Sequence, residues 1–236
     1  MTMLYLVRHG ETDWNREGRW QGHYDRPLSA AGRAQAMAAA RRLAHEHISQ
    51  LHASDLKRAA ETAQIIGETN GLDVRLDFAL REVDVGNWAG LTQAEAKERF
   101  PEGYARRRSG GTGWVGGESY EQMAGRVRGY VGRLLDGARG SDRIALICHS
   151  GVIRVLVVHA LGLKPSDRRS VGGNEHGALS VLRVRKGEWS LRVYNDACHL
   201  PHRGDSSTLR EALKPDTAGR AAPRIEAVTP EARSGG

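Results

Sequence analysis

Two nearly uninterrupted apolar runs, Leu4 to Val7 and Arg143 to Cys148, set the frame of this chain. Neither alternates as a strand with one wet face would, so both read as short strands covered on both sides. Each ends on a histidine. Arg8-His9-Gly10 follows the first and His149-Ser150-Gly151 the second. Helical patterns lie between them. Ser29 is placed to cap a long, Ala-rich helix running to about His45. Leu51 to Ala53 reads as another strand, and Asp55 as the cap of a helix carrying Arg58, Ala59, Thr62, Ala63 and Ile66. Residues 74–78 suggest a further strand. Thr92 to Arg99 reads as a short helix ended by Pro101, 110–117 as a flexible Gly-rich connection, and Glu118 to Leu135 as a long helix. Val152 to Leu161 is a helix stopped by Gly162, and residues 178–185 and 188–194 form a closing hairpin about Lys186-Gly187.

Strands alternating with helices predict an α/β fold: a three-layer α/β/α sandwich whose central sheet is mostly parallel, with an antiparallel edge hairpin. The 236 residues suit one sizeable domain, read here as residues 1–200. From Pro201 the periodicity stops and Pro, Gly, Ser, Arg and Glu dominate, so 201–236 reads as a disordered tail. In parallel sheets ligands bind outside the carboxyl ends of the strands. That rule brings His9 and His149 to one end of the sheet.

Composition narrows the setting. No apolar run approaches the roughly 20 residues that span a bilayer. The first ten residues have neither a basic region nor a long apolar core, so they do not read as a signal peptide. Cys148 and Cys198 are then expected to be reduced thiols in a cytoplasmic protein. The net charge of +7 fits a solvated basic surface or a cleft that attracts anions. The densest basic run, Arg106 to Arg108, is too short to predict nucleic-acid binding. The expected partner is a small phosphorylated metabolite, without nucleic acid or membrane, and a homodimer is left open.

Four segments carry residue types suited to phosphate chemistry. Neutral imidazole at His9 is nucleophilic, and the Arg8 guanidinium can hold phosphate oxygens with paired donors. Arg58 falls in the first turn of its helix, where guanidinium and helix end act on the same anion. In Arg81-Glu82-Val83-Asp84 a carboxyl can protonate a leaving oxygen, with Glu82 and Asp84 as rivals. His149, at the second strand end, can donate to phosphate oxygens as charge develops. Such a cage needs neither metal nor cofactor.

Together these segments resemble the histidine phosphatase, or phosphoglycerate mutase-like, superfamily. The matching blocks are Arg8-His9-Gly10-Glu11-Thr12 with Asn15; Gln21-Gly22, Asp25 and Pro27-Leu28-Ser29; Ser54-Asp55-Leu56 with Arg58-Ala59; Arg81-Glu82 with Gly86 and Trp88; Gly117-Glu118-Ser119; and His149-Ser150-Gly151. The resemblance covers about residues 3–200. It implies that His9 becomes phosphohistidine, that Arg8, Arg58 and His149 hold the phosphoryl group, and that Glu82 gives and takes the proton. It further implies that Asn15, Gln21, Gly22, Ser150 and Gly151 bind substrate, with Ser150 standing where many members have a second Gly. The implied activity is a metal-independent phosphomonoesterase. A mutase using the same phosphohistidine is the alternative. Against the mutase, Gln93 stands where mutases carry Lys, and no Pro-rich stretch follows Arg107-Arg108-Ser109. A non-catalytic phospho-ligand-binding protein is a third reading, although it would be expected to lack His9 or Glu82. A serine hydrolase would want Gly-x-Ser-x-Gly around Ser150, which is absent. Of the ten histidines, His45 and His47 are too closely spaced to share a helix face, and no H-E-x-x-H occurs.

Overall fold

A computed structural model of the chain describes residues 1–200 and 224–227. A seven-stranded sheet runs β6-β5-β1-β4-β2-β3-β7. Its strands are β1 (Thr2–Arg8), β2 (Gln50–Ala53), β3 (Val74–Leu76), β4 (Arg143–Cys148), β5 (Leu179–Arg185), β6 (Glu188–Asp196) and β7 (Ile225–Ala227). β1, β4, β2, β3 and β7 are mutually parallel, while β5 and β6 form the antiparallel edge. The helices are α1 (Asp13–Arg16), α2 (Ala30–Leu43), α3 (Lys57–Asn70), α4 (Gln93–Arg99), α5 (Pro101–Arg108), α6 (Tyr120–Asp136) and α7 (Ser150–Ala160).

The period of two along each central strand builds the three layers. Leu4 and Leu6 of β1, with Ile144, Leu146 and Cys148 of β4, face Val127, Val131, Leu156 and Val157 of α6 and α7. Tyr5, Val7, Ala145 and Ile147 face the other way, onto Ala39, Ala40 and Leu43 of α2 and Ala63 and Ile66 of α3. Burying each such Leu or Ile contributes roughly 1.5–3 kcal/mol. The Ala-rich face of α2 lets it lie close against α3.

Several local expectations change. Asp55 does not cap α3. Its carboxylate takes both Nε and Nη2 of Arg81, at 2.7 and 2.6 Å. The amide of Lys57 is satisfied instead by Asp25 Oδ1 at 2.6 Å. Pro101 does not simply end α4. It opens α5 at the first helical position, where its missing N–H costs nothing. The Gly-rich connection at 110–117 is anchored midway by Trp114, which is buried against Trp88 and Tyr120 and donates to the Glu118 carbonyl. Of the tail, 201–223 and 228–236 lie outside the described residues. Residues 225–227 depart from the disordered reading, because β7 pairs with the open edge of β3 and Val74 N–H donates to the Arg224 carbonyl.

His52 of β2 is buried on the α6 side. Gln50 Oε1 accepts from its Nε2, so Nδ1 accepts from the Tyr130 hydroxyl at 2.7 Å. Burial, reinforced by Arg75, lowers its pKa from 6.5 to about 4. Between those values the unfolded chain binds a proton that the native state refuses. Stability is therefore full above the unfolded pKa and lost as pH falls toward the folded one. The shift is equivalent to about 3 kcal/mol. In urea titrations His52→Gln should lose less unfolding free energy than wild type between neutral pH and pH ~4, by an amount of this order. Parallel pH dependence of the two proteins would contradict the assignment.

Candidate active site

The site forms because β1 and β4 are parallel neighbours, with Arg8 in register with Cys148. The residue after each strand is a histidine. The His9 amide donates to the Cys148 carbonyl at 3.0 Å, and the two imidazole centroids lie 5.0 Å apart. Both rings are buried. Gly10 holds this loop against α2: a Cβ there would collide with the Gly32 carbonyl.

His9 Nδ1 lies 2.7 Å from the Gly10 carbonyl, which can only accept. The ring proton therefore sits on Nδ1, and the Nε2 lone pair is free to attack. Burial drives the His9 pKa well below 6.5, with His149 and Arg58 adding repulsion. The ring is neutral, hence nucleophilic, at physiological pH. The His176 ring packs against it, tilted, with centroids 5.3 Å apart, and lies 3.2 Å from the His9 carbonyl through Nδ1.

The cations are held by carbonyls rather than carboxylates. Arg58 donates through Nη2 to Gly22 and through Nη1 to Tyr24, at 2.8 and 3.0 Å, and its Nε lies 3.3 Å from His149 Nδ1. Arg8 Nη1 donates to the Asn174 carbonyl, while its Nε is buried without a partner. Burial lowers both guanidinium pKa values to about 10, and both remain charged at neutral pH. Neither makes a salt bridge among the described residues, and Glu82 acts on both only at longer range, so these buried cations favour an added anion. His149 Nε2 lies 2.9 Å from Ser54 Oγ. Burial, followed by Arg58, also drives the His149 pKa well below 6.5.

Glu82 is the carboxylate on this cleft. The amides of Val83 and Gly151 donate to its two oxygens at 2.9 and 3.1 Å. A Cβ on Gly151 would strike Glu82 Oε1, so a side chain there would push the carboxylate out of this position. Asp84 points elsewhere, accepting from the Gly86 amide and lying 3.9 Å from His23. Arg126 of α6 fixes the loop that carries Glu82. It donates to the carbonyls of Ala79, Arg81 and Glu82 and is locked by both oxygens of Glu118.

The cleft is lined by Arg8, His9, Asn15, Gln21, Gly22, Arg58, Glu82, Ser150 and Gly151, together with Trp20, Arg107, Tyr120 and Arg154. His149 is fully buried beside His9 and does not itself line the cleft. The structure thus brings together every site residue singled out from the sequence. Two have further engagements. Asn15 Oδ1 accepts from the Thr12 amide in the capping box of α1, and Gly151 holds Glu82. Of the run 106–108, Arg107 alone lines the cleft, its guanidinium over the Trp20 ring at 4.6 Å. Sequence reasoning gave no role to Ser54, Arg126, Trp20, Tyr120 or Arg154. The blocks containing Ser54 and Glu118 were visible, but nothing in spacing says which neighbour each would meet.

A family model described as the histidine phosphatase superfamily (branch 1) matches residues 4–197. Phosphoglycerate mutase-like protein 4 of Arabidopsis thaliana is 41% identical over 207 residues, covering 85% of this chain and 88% of that protein. Glucosyl-3-phosphoglycerate phosphatase of Mycobacterium tuberculosis is 37% identical over 196 residues, covering 79% and 86%. The solved structure of a mycobacterial glucosyl-3-phosphoglycerate phosphatase with VO3 superposes with a TM-score of 0.76 at 35% identity, covering 82% of this chain and 98% of that one. With its two strand-end histidines in place and the match running through nearly all the described chain, this protein belongs to the histidine phosphatase superfamily, branch 1.

Proposed function

We propose that the chain is a phosphomonoesterase that works through a phosphohistidine on His9. The observation that carries this reading is the free Nε2 lone pair of a neutral His9, sharing one cleft with Glu82 and with two buried guanidiniums held by carbonyls rather than carboxylates. In the first step Nε2 attacks phosphorus and the ester P–O bond breaks. Glu82 passes its proton to the leaving oxygen. In the second step Glu82 takes a proton from water, the water oxygen bonds to phosphorus, and the P–N bond breaks to release orthophosphate. Arg8 and Arg58 neutralise the equatorial oxygens throughout. When an oxygen competes for the Arg58 N–H, the Ser54 hydroxyl can donate to His149 Nε2. In that tautomer the single ring proton of His149 sits on Nδ1 instead of Nε2 and donates to the phosphoryl oxygen. Two guanidiniums and an imidazole supply the positive charge, so the step needs no metal.

Arg107 and Arg154, also without a salt bridge among the described residues, line the same cleft as Arg8, His9 and Arg58. They favour a small phosphorylated metabolite whose remainder is itself anionic. A cytoplasmic setting accords with two free cysteines and with the lack, among the described residues, of any helix long and apolar enough to cross a membrane. The test is a phosphate-release screen over phosphorylated metabolites, acidic and neutral, beside a mutase assay with 2,3-bisphosphoglycerate. Release without interconversion, fastest for acidic esters, is expected. Interconversion with little release would favour the mutase, and no turnover of any ester would favour a phospho-ligand-binding protein.

A further inference from the structure

The turn that ends the β5–β6 hairpin carries three metal-ligating side chains that phosphoryl transfer does not use. We propose that Asp196, Cys198 and His199 form a zinc-binding site. A carboxylate oxygen, the thiol sulfur and a ring nitrogen lie within 4.8 Å of one another, the one such grouping of His, Cys, Asp and Glu among the described residues. His199 Nε2 donates to the Gly177 carbonyl at 3.0 Å, which leaves the ring lone pair on Nδ1. That Nδ1 is buried and has no hydrogen-bond partner. An imidazole whose second nitrogen donates to a backbone carbonyl is how proteins fix the tautomer of a metal ligand.

The turn is fixed by hydrogen bonds of its own, the Cys198 amide donating to Asp196 Oδ1 at 3.1 Å. Asn195 sits at φ 53 with Oδ1 accepting from the Glu175 amide, and the Leu200 amide donates to the Ala197 carbonyl at 3.0 Å. Cys198 is exposed, so an ion can reach it. The ligand set selects the metal: thiolate and imidazole with one carboxylate suit zinc, with water completing a tetrahedron, and do not suit magnesium or calcium. Binding displaces the thiol proton to solvent as the Zn–S bond forms. One thiolate and one carboxylate then cancel the charge of the ion, so the site passes from one negative charge to neutral beside Arg42. The site lies outside the phosphoryl pocket but adjoins its support. Gly177, which receives the His199 bond, donates its own N–H to the Arg8 carbonyl at 2.9 Å.

The experiment uses the full chain stripped of metal. Zinc is titrated against a chromophoric chelator, and cobalt(II) is added separately as an optical probe. Wild type should take up one zinc ion per chain and show a sulfur-to-cobalt charge-transfer band. Cys198→Ser, a change at an exposed position, should lose the band and bind zinc at least about tenfold more weakly, with p-nitrophenyl phosphate turnover unchanged in the absence of zinc. His199→Gln should weaken binding similarly. Stoichiometric binding absent from wild type, a cobalt spectrum without the thiolate band, or binding that survives Cys198→Ser but disappears in His9→Ala would each overturn the proposal. The last outcome would place the ion on the phosphoryl-site histidines.

Discussion

Replacing His9 by alanine is expected to cut hydrolysis of p-nitrophenyl phosphate by about 10⁴-fold or more, the scale of losing a covalent nucleophile. Arg8, Arg58 and His149 would still bind phosphate, so the loss should fall on kcat with affinity for orthophosphate largely kept. The fold should survive. The His9 ring is held by its neighbour's carbonyl and by a tilted contact with His176, whereas β1 is held by the Leu4, Leu6, Tyr5 and Val7 contacts on its two faces. Circular dichroism and the urea midpoint separate loss of chemistry from loss of structure. Substantial turnover by a folded His9→Ala protein would remove the nucleophile assignment.

Glu82→Gln is the second large effect, about 100-fold or more on kcat for esters with poor leaving groups. Glutamine keeps the size of the side chain and an acceptor for one of the Val83 and Gly151 amides, while the transferable proton is lost. The deficit should shrink as the leaving group improves, because a good leaving group needs no acid. Asp84→Asn is the control. Asp84 accepts from the Gly86 amide rather than lining the cleft, so its effect should be small. If Asp84→Asn slowed turnover and Glu82→Gln did not, the acid–base role would belong to the other carboxyl.

These effects fall on residues that were legible in the sequence, and the reason is topological. Two buried runs that each stop on a histidine, in a chain of alternating strands and helices, put those histidines at one sheet end whatever the details of packing. Arg58 was legible for the same reason, since it opens a helix that follows a strand. What was not legible depended on long-range partners. Asp55 looks like a cap until Arg81 arrives from the far side of β3 and takes its carboxylate. Choosing between Glu82 and Asp84 needed the Gly151 amide, 69 residues away. Arg126 reads as one more surface arginine on a helix, yet it gathers three carbonyls of the Glu82 loop and pairs with Glu118. Among Arg106, Arg107 and Arg108 only the helix rotation of α5 decides which reaches the cleft.

Brief reaction of the wild-type chain with phosphate-labelled substrate, followed by quenching and mapping of the labelled peptide, tests the phosphohistidine most directly. The label should sit on the peptide containing His9, survive base and be lost in acid, as a phosphoramidate is, and it should be absent from His9→Ala. A label that survives acid and is lost in base, on the peptide containing Ser150, would contradict the mechanism and move the nucleophile to the start of α7.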